Sequence, residues 1–163
     1  GCDIAINIQG DEPLVEPSLI DTIAQQLSED DAWDMATAAT PITETSDLDS
    51  TSIVKVVCDR SGGALYFSRA CIPHNRDGTG KPAYRRHVGL YGYRASFLQR
   101  LVATPPCELE VIEKLEQLRA LYIGCRMKVI QAEHAGIGID VPEDIARAEE
   151  MLLKLGLETD SLA

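Results

Sequence analysis

The sequence predicts an α/β fold: a mostly parallel sheet with a β-rich subregion in the middle of the chain. Three observations carry this. Short apolar runs alternate with amphipathic helical patterns over the first third. Two strand patterns then flank the turn Asp59-Arg-Ser-Gly-Gly63, which reads as a hairpin. Strand and helix patterns alternate again to the C-terminus, with no internal repeat or low-complexity segment.

The elements follow in order. Ile4 to Ile8 reads as a buried strand ending in the polar loop Gln9-Gly-Asp-Glu-Pro13. Glu16-Pro-Ser18 opens a helix whose stripe is Leu19, Ile20, Ile23, Ala24 and Leu27. An acidic loop precedes a strand of small residues, Met35 to Thr40, and Thr43 to Ser52 is polar and solvated. Ile53 to Val57 and Ala64 to Phe67 are the hairpin strands. Ser68 to Arg86 is loop-like. His87 to Tyr93 is a strand with two internal glycines, a pattern that marks close approach by another group. Ala95 to Val102 is a short helix stopped by Pro105-Pro106. Glu108 to Leu121 reads as one strong helix with Leu109, Ile112, Leu115 and Leu118 on its apolar face, ended by Gly124. Met127 to Ile130 is a strand. A last helix starts at Pro142-Glu-Asp144 and buries Ile145, Ala148, Met151, Leu152 and Leu155.

Composition narrows the function. The 163 residues (17.8 kDa) suit one domain or part of a larger one. Lys+Arg 15 against Asp+Glu 26 gives a net charge of -11, which repels phosphate backbones and anionic lipid. Nucleic-acid and membrane partners are therefore not expected. A local basic cluster can still hold one small anion. The five cysteines are odd in number and none stands at CxxC spacing, so reduced cytosolic thiols are expected. GxSxG, GxGxxG and Walker A patterns are absent.

Five groups of residues could carry chemistry. Asp11 and Glu12 end a strand, where α/β sheets bind ligands and where a carboxylate can take Mg2+. From the dipeptide alone, an Asx turn is the better reading. Asp140 has the same strand-end character, evenly balanced against a helix N-cap. Together the two aspartates could share one metal. Arg69, Arg76, Lys81, Arg85, Arg86 and His87 form a basic cluster suited to a carboxylate or phosphate, although for Lys81, Arg85 and Arg86 a solvated loop is the better reading. His87 and Tyr91 share one strand face with Gly89 between them, a polar shelf or a packed sheet face. Glu116 and Gln117 stand near the polar–apolar boundary of the long helix, where a plain solvated surface is the simpler reading.

Taken together, the motifs resemble a known family. Asn7-Ile-Gln-Gly-Asp-Glu-Pro13 is similar to the NxQGDEP segment of the 3-deoxy-manno-octulosonate cytidylyltransferases, or CMP-Kdo synthetases. Tyr66-Phe-Ser-Arg-Ala-Cys-Ile-Pro73 resembles their YFSRxxIP segment, and His87-Val-Gly-Leu-Tyr-Gly-Tyr-Arg94 their HxGxYxYR strand. Glu113-Lys-Leu-Glu-Gln-Leu-Arg119 resembles EKLEQLR. Gly138-Ile-Asp-Val-Pro-Glu-Asp144 resembles GVDTPEDL, with Val141 for the usual Thr. Five matches in order over nearly the whole chain are highly specific.

The resemblance implies a Rossmann-like nucleotidyltransferase sheet with a smaller β-rich dimerisation subregion. It implies one nucleotidyltransferase domain over 1–163, N-terminally incomplete, with a β-rich insertion near 53–93 holding sugar-pocket and dimer elements. The implied reaction joins CTP and Kdo into CMP-Kdo and pyrophosphate, with Mg2+ as cofactor, for lipopolysaccharide biosynthesis in the cytoplasm, by a homodimer. Asp11 and Asp140 would hold the metal. Arg69, His87, Tyr91, Glu116 and Gln117 would line the sugar-acid pocket, and Gln9 would lie near the nucleotide. One departure is expected to matter. Family members begin with a strand and a basic, glycine-containing loop resembling ARxxSxRLPGKPL, which grips the triphosphate and has no counterpart here. The chain thus reads as the larger, C-terminal portion of such an enzyme. The alternatives are a synthetase for another sugar acid, or a non-catalytic sugar-binding or dimerisation fragment.

Overall fold

A computed structural model of the chain describes residues 2–9, 15–80 and 82–133. Asp11, Lys81, Asp140 and the helix expected from Pro142 lie outside the described residues.

The elements are, in order, β1 (Ile4–Ile8), α1 (Pro17–Glu29), β2 (Met35–Pro41), α2 (Thr45–Asp49), β3 (Lys55–Cys58), β4 (Ala64–Ser68), β5 (Arg85–Arg94), α3 (Ala95–Val102), α4 (Glu108–Glu113), α5 (Gln117–Tyr122) and β6 (Met127–Gln131). The strands form one six-stranded sheet. β5 is its organising strand. One edge pairs antiparallel with β2 over its whole length. The other edge is shared: Arg86 meets Lys55 of β3, and Leu90 to Arg94 meets Ile8 to Ile4 of β1. β2 and β6 are parallel. The sheet was expected to be mostly parallel. Among the described residues one ladder is parallel and four are antiparallel. β1, β2 and β6 do share a direction, and the long β5 runs against them between β1 and β2.

α1 forms because Pro17 pre-sets the first turn and Leu19, Ile23 and Leu27 repeat at helical spacing. These three bury against Ala36, Ala38, Val88 and Leu90 on one sheet face. Gly92 makes this possible. A Cβ there would stand 2.6 Å from Ile23 Cγ2 and 2.8 Å from Leu27 Cδ1, so only glycine lets α1 lie this close. Arg94 then locks the far end of α1. Its guanidinium donates to the carbonyls of Leu27 and Asp30 (3.1 Å), C-terminal groups the helix leaves unpaired, and to that of Trp33 (2.8 Å) in the turn that follows.

The opposite sheet face carries the second core, with Phe67, Tyr91, Phe97, Leu115, Leu118 and Met127. The hairpin β3–β4 is as expected. Asp59 Oδ1 accepts the N–H groups of Ser61 (2.7 Å) and Gly63 (2.8 Å), and Gly62 takes φ +81°, which the turn requires. The stretch 43–52 carries one short helix, α2, with no buried residue. All five cysteines are free thiols.

The long helix expected over 108–121 is a correction. It breaks at Lys114, which adopts φ +56°, ψ +47°, and continues as a separate helix from Gln117. The break turns the two halves differently. Leu115 and Leu118 are buried as expected, but Ile112 is 68 % exposed and Leu109 39 %. The break follows directly on Glu113, whose carboxylate reaches across to β4 and the residue after it.

Candidate active site

β5 sets the site. Its alternation puts His87, Gly89, Tyr91 and Tyr93 on one face, away from α1, and these four line a cavity of about 500 Å³. The β2–β5 ladder shifts register between Thr37 and Ala38, by two residues on β5. An even shift preserves the alternation, so the shelf read from sequence survives the bulge. β1 brings Asn7 and Gln9 to the cavity. The residue following β4 brings Arg69, and the α4–α5 break brings Lys114, Glu116 and Gln117.

Gln9, Arg69, His87, Tyr91, Glu116 and Gln117 therefore meet on one cavity, although they come from four separate segments. Arg86, expected in a solvated loop, instead lies in β5 and lines the cavity, whereas Arg76 and Arg85 do not line it. The two aspartates expected to bind metal lie outside the described residues. Among the described residues no group of three or more His, Cys, Asp or Glu is placed to hold a metal ion.

Each side chain is held by identifiable contacts. Arg69 is gripped from its backbone and its side chain. Its Nε donates to Glu113 O (2.9 Å) and its Nη1 to Thr51 O (2.7 Å). Its N–H donates to Glu113 Oε2 (3.0 Å), whose other oxygen accepts from Ser68 Oγ (2.6 Å). Lys55, wholly buried, donates from Nζ to Ser50 O (2.7 Å) and to Arg69 O (3.0 Å). Burial lowers its pKa, and two carbonyls give the buried ammonium partners. Sequence reasoning missed Lys55 and Glu113. A lysine inside a β-branched strand run was the available signal for the first, and Glu113 stood inside the EKLEQLR match.

His87 is packed edge-on by Phe67 (ring centroids 5.0 Å, 80°) and flanked by Tyr91 (5.3 Å). Part of its surface opens to the cavity, yet the surrounding protein desolvates the ring and pushes its pKa down to about 3. Burial pushes Tyr93 up to about 12, with the Glu116 charge adding to it, and raises Tyr91 in the same way. The aromatic shelf is therefore neutral at physiological pH. Gln117 is 6 % exposed and opens α5, and Glu116 is its N-cap. Among the described residues the lining carries Arg69, Arg86, Lys114 and Arg119 against Glu116. Arg119 is partly neutralised by Glu110, 3.2 Å away. In a chain of charge -11 this concavity is locally positive. With neutral amide, phenol and imidazole groups beside the cations, it suits an anionic, hydroxyl-rich small molecule.

A family described as "Cytidylyltransferase" matches residues 2–132. A 3-deoxy-manno-octulosonate cytidylyltransferase of Anaeromyxobacter sp. is 49 % identical over 150 residues, covering 92 % of this chain and 60 % of that protein. One of Bdellovibrio bacteriovorus is 44 % identical over 160 residues, covering 96 % and 64 %. Among solved structures, a CMP:2-keto-3-deoxy-manno-octonic acid synthetase complexed with CTP superposes with TM-score 0.87 at 35 % identity, covering 94 % of this chain and 63 % of that one. The 2-C-methyl-D-erythritol 4-phosphate cytidylyltransferase of Thermus thermophilus, at TM-score 0.56 and 14 % identity, shares the fold. The chain thus spans about three fifths of the length of the relatives it matches. The α/β sheet is that of these nucleotidyltransferases, as the motifs implied, and the chain belongs to the cytidylyltransferase family.

Proposed function

We propose that this protein transfers CMP from CTP to Kdo, giving CMP-Kdo and pyrophosphate for lipopolysaccharide biosynthesis. The observation that carries the reading is the cavity. Six residues named from sequence motifs converge there, and among the described residues its cations outnumber its carboxylates. The relatives' names supply the substrates.

In this reaction the anomeric hydroxyl oxygen of the sugar acid attacks the α-phosphorus of CTP. A new P–O bond forms, the bond to the β-phosphate oxygen breaks, and pyrophosphate leaves. Negative charge builds on the phosphoryl and leaving oxygens, so catalysis rests on positioning and charge stabilisation. Arg69, whose Nε, Nη1 and Nη2 each donate one N–H to a backbone carbonyl, presents the second N–H of each terminal nitrogen to the sugar carboxylate. Glu116 accepts from sugar hydroxyls, while Gln117, His87 and Tyr91 complete the hydroxyl contacts. Gln9, on the β1 side of the cavity, faces the nucleotide.

Asp11 and Asp140 supply hard carboxylate oxygens, the donor set Mg2+ prefers, and we assign them as its protein ligands. Bound Mg2+ would stabilise the developing phosphate charge. A homodimer and a cytoplasmic location complete the proposal. No described helix is long and apolar enough to cross a membrane.

The test is pyrophosphate release from CTP, Mg2+ and Kdo by the protein expressed from its full reading frame. Kdo-dependent release is expected, and Asp140→Asn should abolish it in a folded protein. Near-normal turnover by Asp140→Asn would remove the metal assignment. Folded protein that releases no pyrophosphate with Kdo would remove the whole reading, and turnover with another sugar acid would redirect it.

A further inference from the structure

Thr37 lies in β2 at the register shift, fully buried, with its hydroxyl aimed at β5. Its Oγ1 is 2.8 Å from Leu90 O, 3.2 Å from Val88 O and 3.0 Å from His87 Nε2. A hydroxyl has one proton and two lone pairs, and a carbonyl can only accept. If the Thr37 proton pointed at His87, its lone pairs would face two carbonyl oxygens at hydrogen-bond distance with no proton between them. The proton therefore goes to a carbonyl, Leu90 O being the nearer. Oγ1 is then the acceptor toward the ring, and Nε2 must carry a proton. A neutral imidazole protonated at Nε2 leaves Nδ1 as an acceptor, and Nδ1 has no hydrogen-bond partner among the described residues.

We infer that Thr37 is a positioning residue that fixes His87 as the Nε2–H tautomer, so that Nδ1 accepts a hydrogen bond from a hydroxyl of the bound sugar acid. The second clause rests on the proposed function; the first rests on geometry alone. Phe67 edge-on and Tyr91 alongside restrict the ring's orientation, so the tautomer is the remaining freedom. The lowered basicity of His87 agrees with a ring that stays neutral. The sequence conceals this, because Thr37 is one of several small residues in the strand and lies fifty positions from its partner.

The test uses 15N-histidine-labelled protein from the full reading frame, with the His87 signals identified by their loss in His87→Gln. The expected spectrum shows a protonated Nε2 and an unprotonated Nδ1. Thr37→Ser should keep that signature, and near-isosteric Thr37→Val should lose it. In steady-state assays Thr37→Val should raise the sugar-acid KM roughly tenfold while the CTP KM stays within about twofold, and Thr37→Ser should rescue it. An Nδ1–H tautomer in the unaltered protein overturns the inference whether or not Thr37→Val folds. So does a Thr37→Val spectrum identical to the parent, or an equal rise in both KM values. If the tautomer behaves as expected but no sugar acid is used, the positioning role stands and the substrate reading falls.

Discussion

Glu113 holds Arg69 at two places: its carboxylate accepts the Arg69 backbone N–H at 3.0 Å, and its own carbonyl accepts Arg69 Nε at 2.9 Å. The guanidinium is thus oriented by the residue just before the α4–α5 break, 44 positions away. Orientation matters because a bidentate fork recognises a carboxylate only when its plane is set. Glu113→Ala is expected to raise the sugar-acid KM roughly tenfold and to lower stability by about 1–3 kcal/mol, since Ser68 Oγ and the Arg69 N–H both lose their acceptor. Glu113→Gln, which keeps one acceptor oxygen, should fall between. Steady-state kinetics beside urea unfolding check both; an unchanged KM would separate Glu113 from substrate binding.

Glu116 lines the cavity as the N-cap of α5, and its charge adds to the burial that chiefly raises Tyr91 and Tyr93. Glu116→Ala should therefore weaken use of the sugar acid far more than use of CTP, by about tenfold or more in kcat/KM. It should also let Tyr93 titrate at lower pH, which spectrophotometric titration of the phenols reads directly. Equal losses for the two substrates would place Glu116 elsewhere in the reaction.

Gly92 is where α1 meets the sheet. Gly92→Ala puts a methyl group 2.6 Å from Ile23 Cγ2, a distance neither backbone can absorb without movement. Overpacking of this kind typically costs about 1–3 kcal/mol. The chemical-denaturation midpoint should drop accordingly. An Ile23→Ala, Gly92→Ala double variant should recover part of the clash energy, because the two positions are in contact.

His87 links the site to stability at low pH. The unfolded imidazole titrates near 6.5 and the folded one near 3, so between those values the unfolded state binds the extra proton. This contribution to stability is complete above about pH 6.5 and declines as pH falls, by at most about 1.4 kcal/mol per pH unit. His87→Gln should flatten the loss between pH 7 and 5 relative to the parent, read from urea midpoints. The same neutrality predicts that His87 adds no ionisation between pH 5 and 8 to the activity profile. Identical pH slopes for parent and variant would show that the ring takes up its proton in the folded protein as readily as in the unfolded chain.

Much of the architecture was legible before any coordinates. α1, α3 and the β3–β4 hairpin follow from a proline at the first turn, a Pro-Pro stop and a Gly-Gly turn, all of which act within a few residues of themselves. The His87–Tyr91 shelf follows from strand alternation, and the two-residue shift in the β2–β5 ladder leaves it intact. The break at Lys114 was not legible. Leu109, Ile112, Leu115 and Leu118 keep helical spacing straight through it, and the pull on Glu113 comes from β4 and Arg69.

By itself, then, the sequence determined the chemical types at the site and the segments that carry them, because motif spacing and side-chain periodicity are local properties of the chain. The tertiary structure alone decided that four segments meet on one cavity, that Glu113 and Lys55 hold Arg69, and that Thr37 faces His87. Those contacts join residues 14 to 50 positions apart, and they depend on where the sheet places its strands. Which donor meets which acceptor across such a gap is set by packing, and no local pattern encodes it.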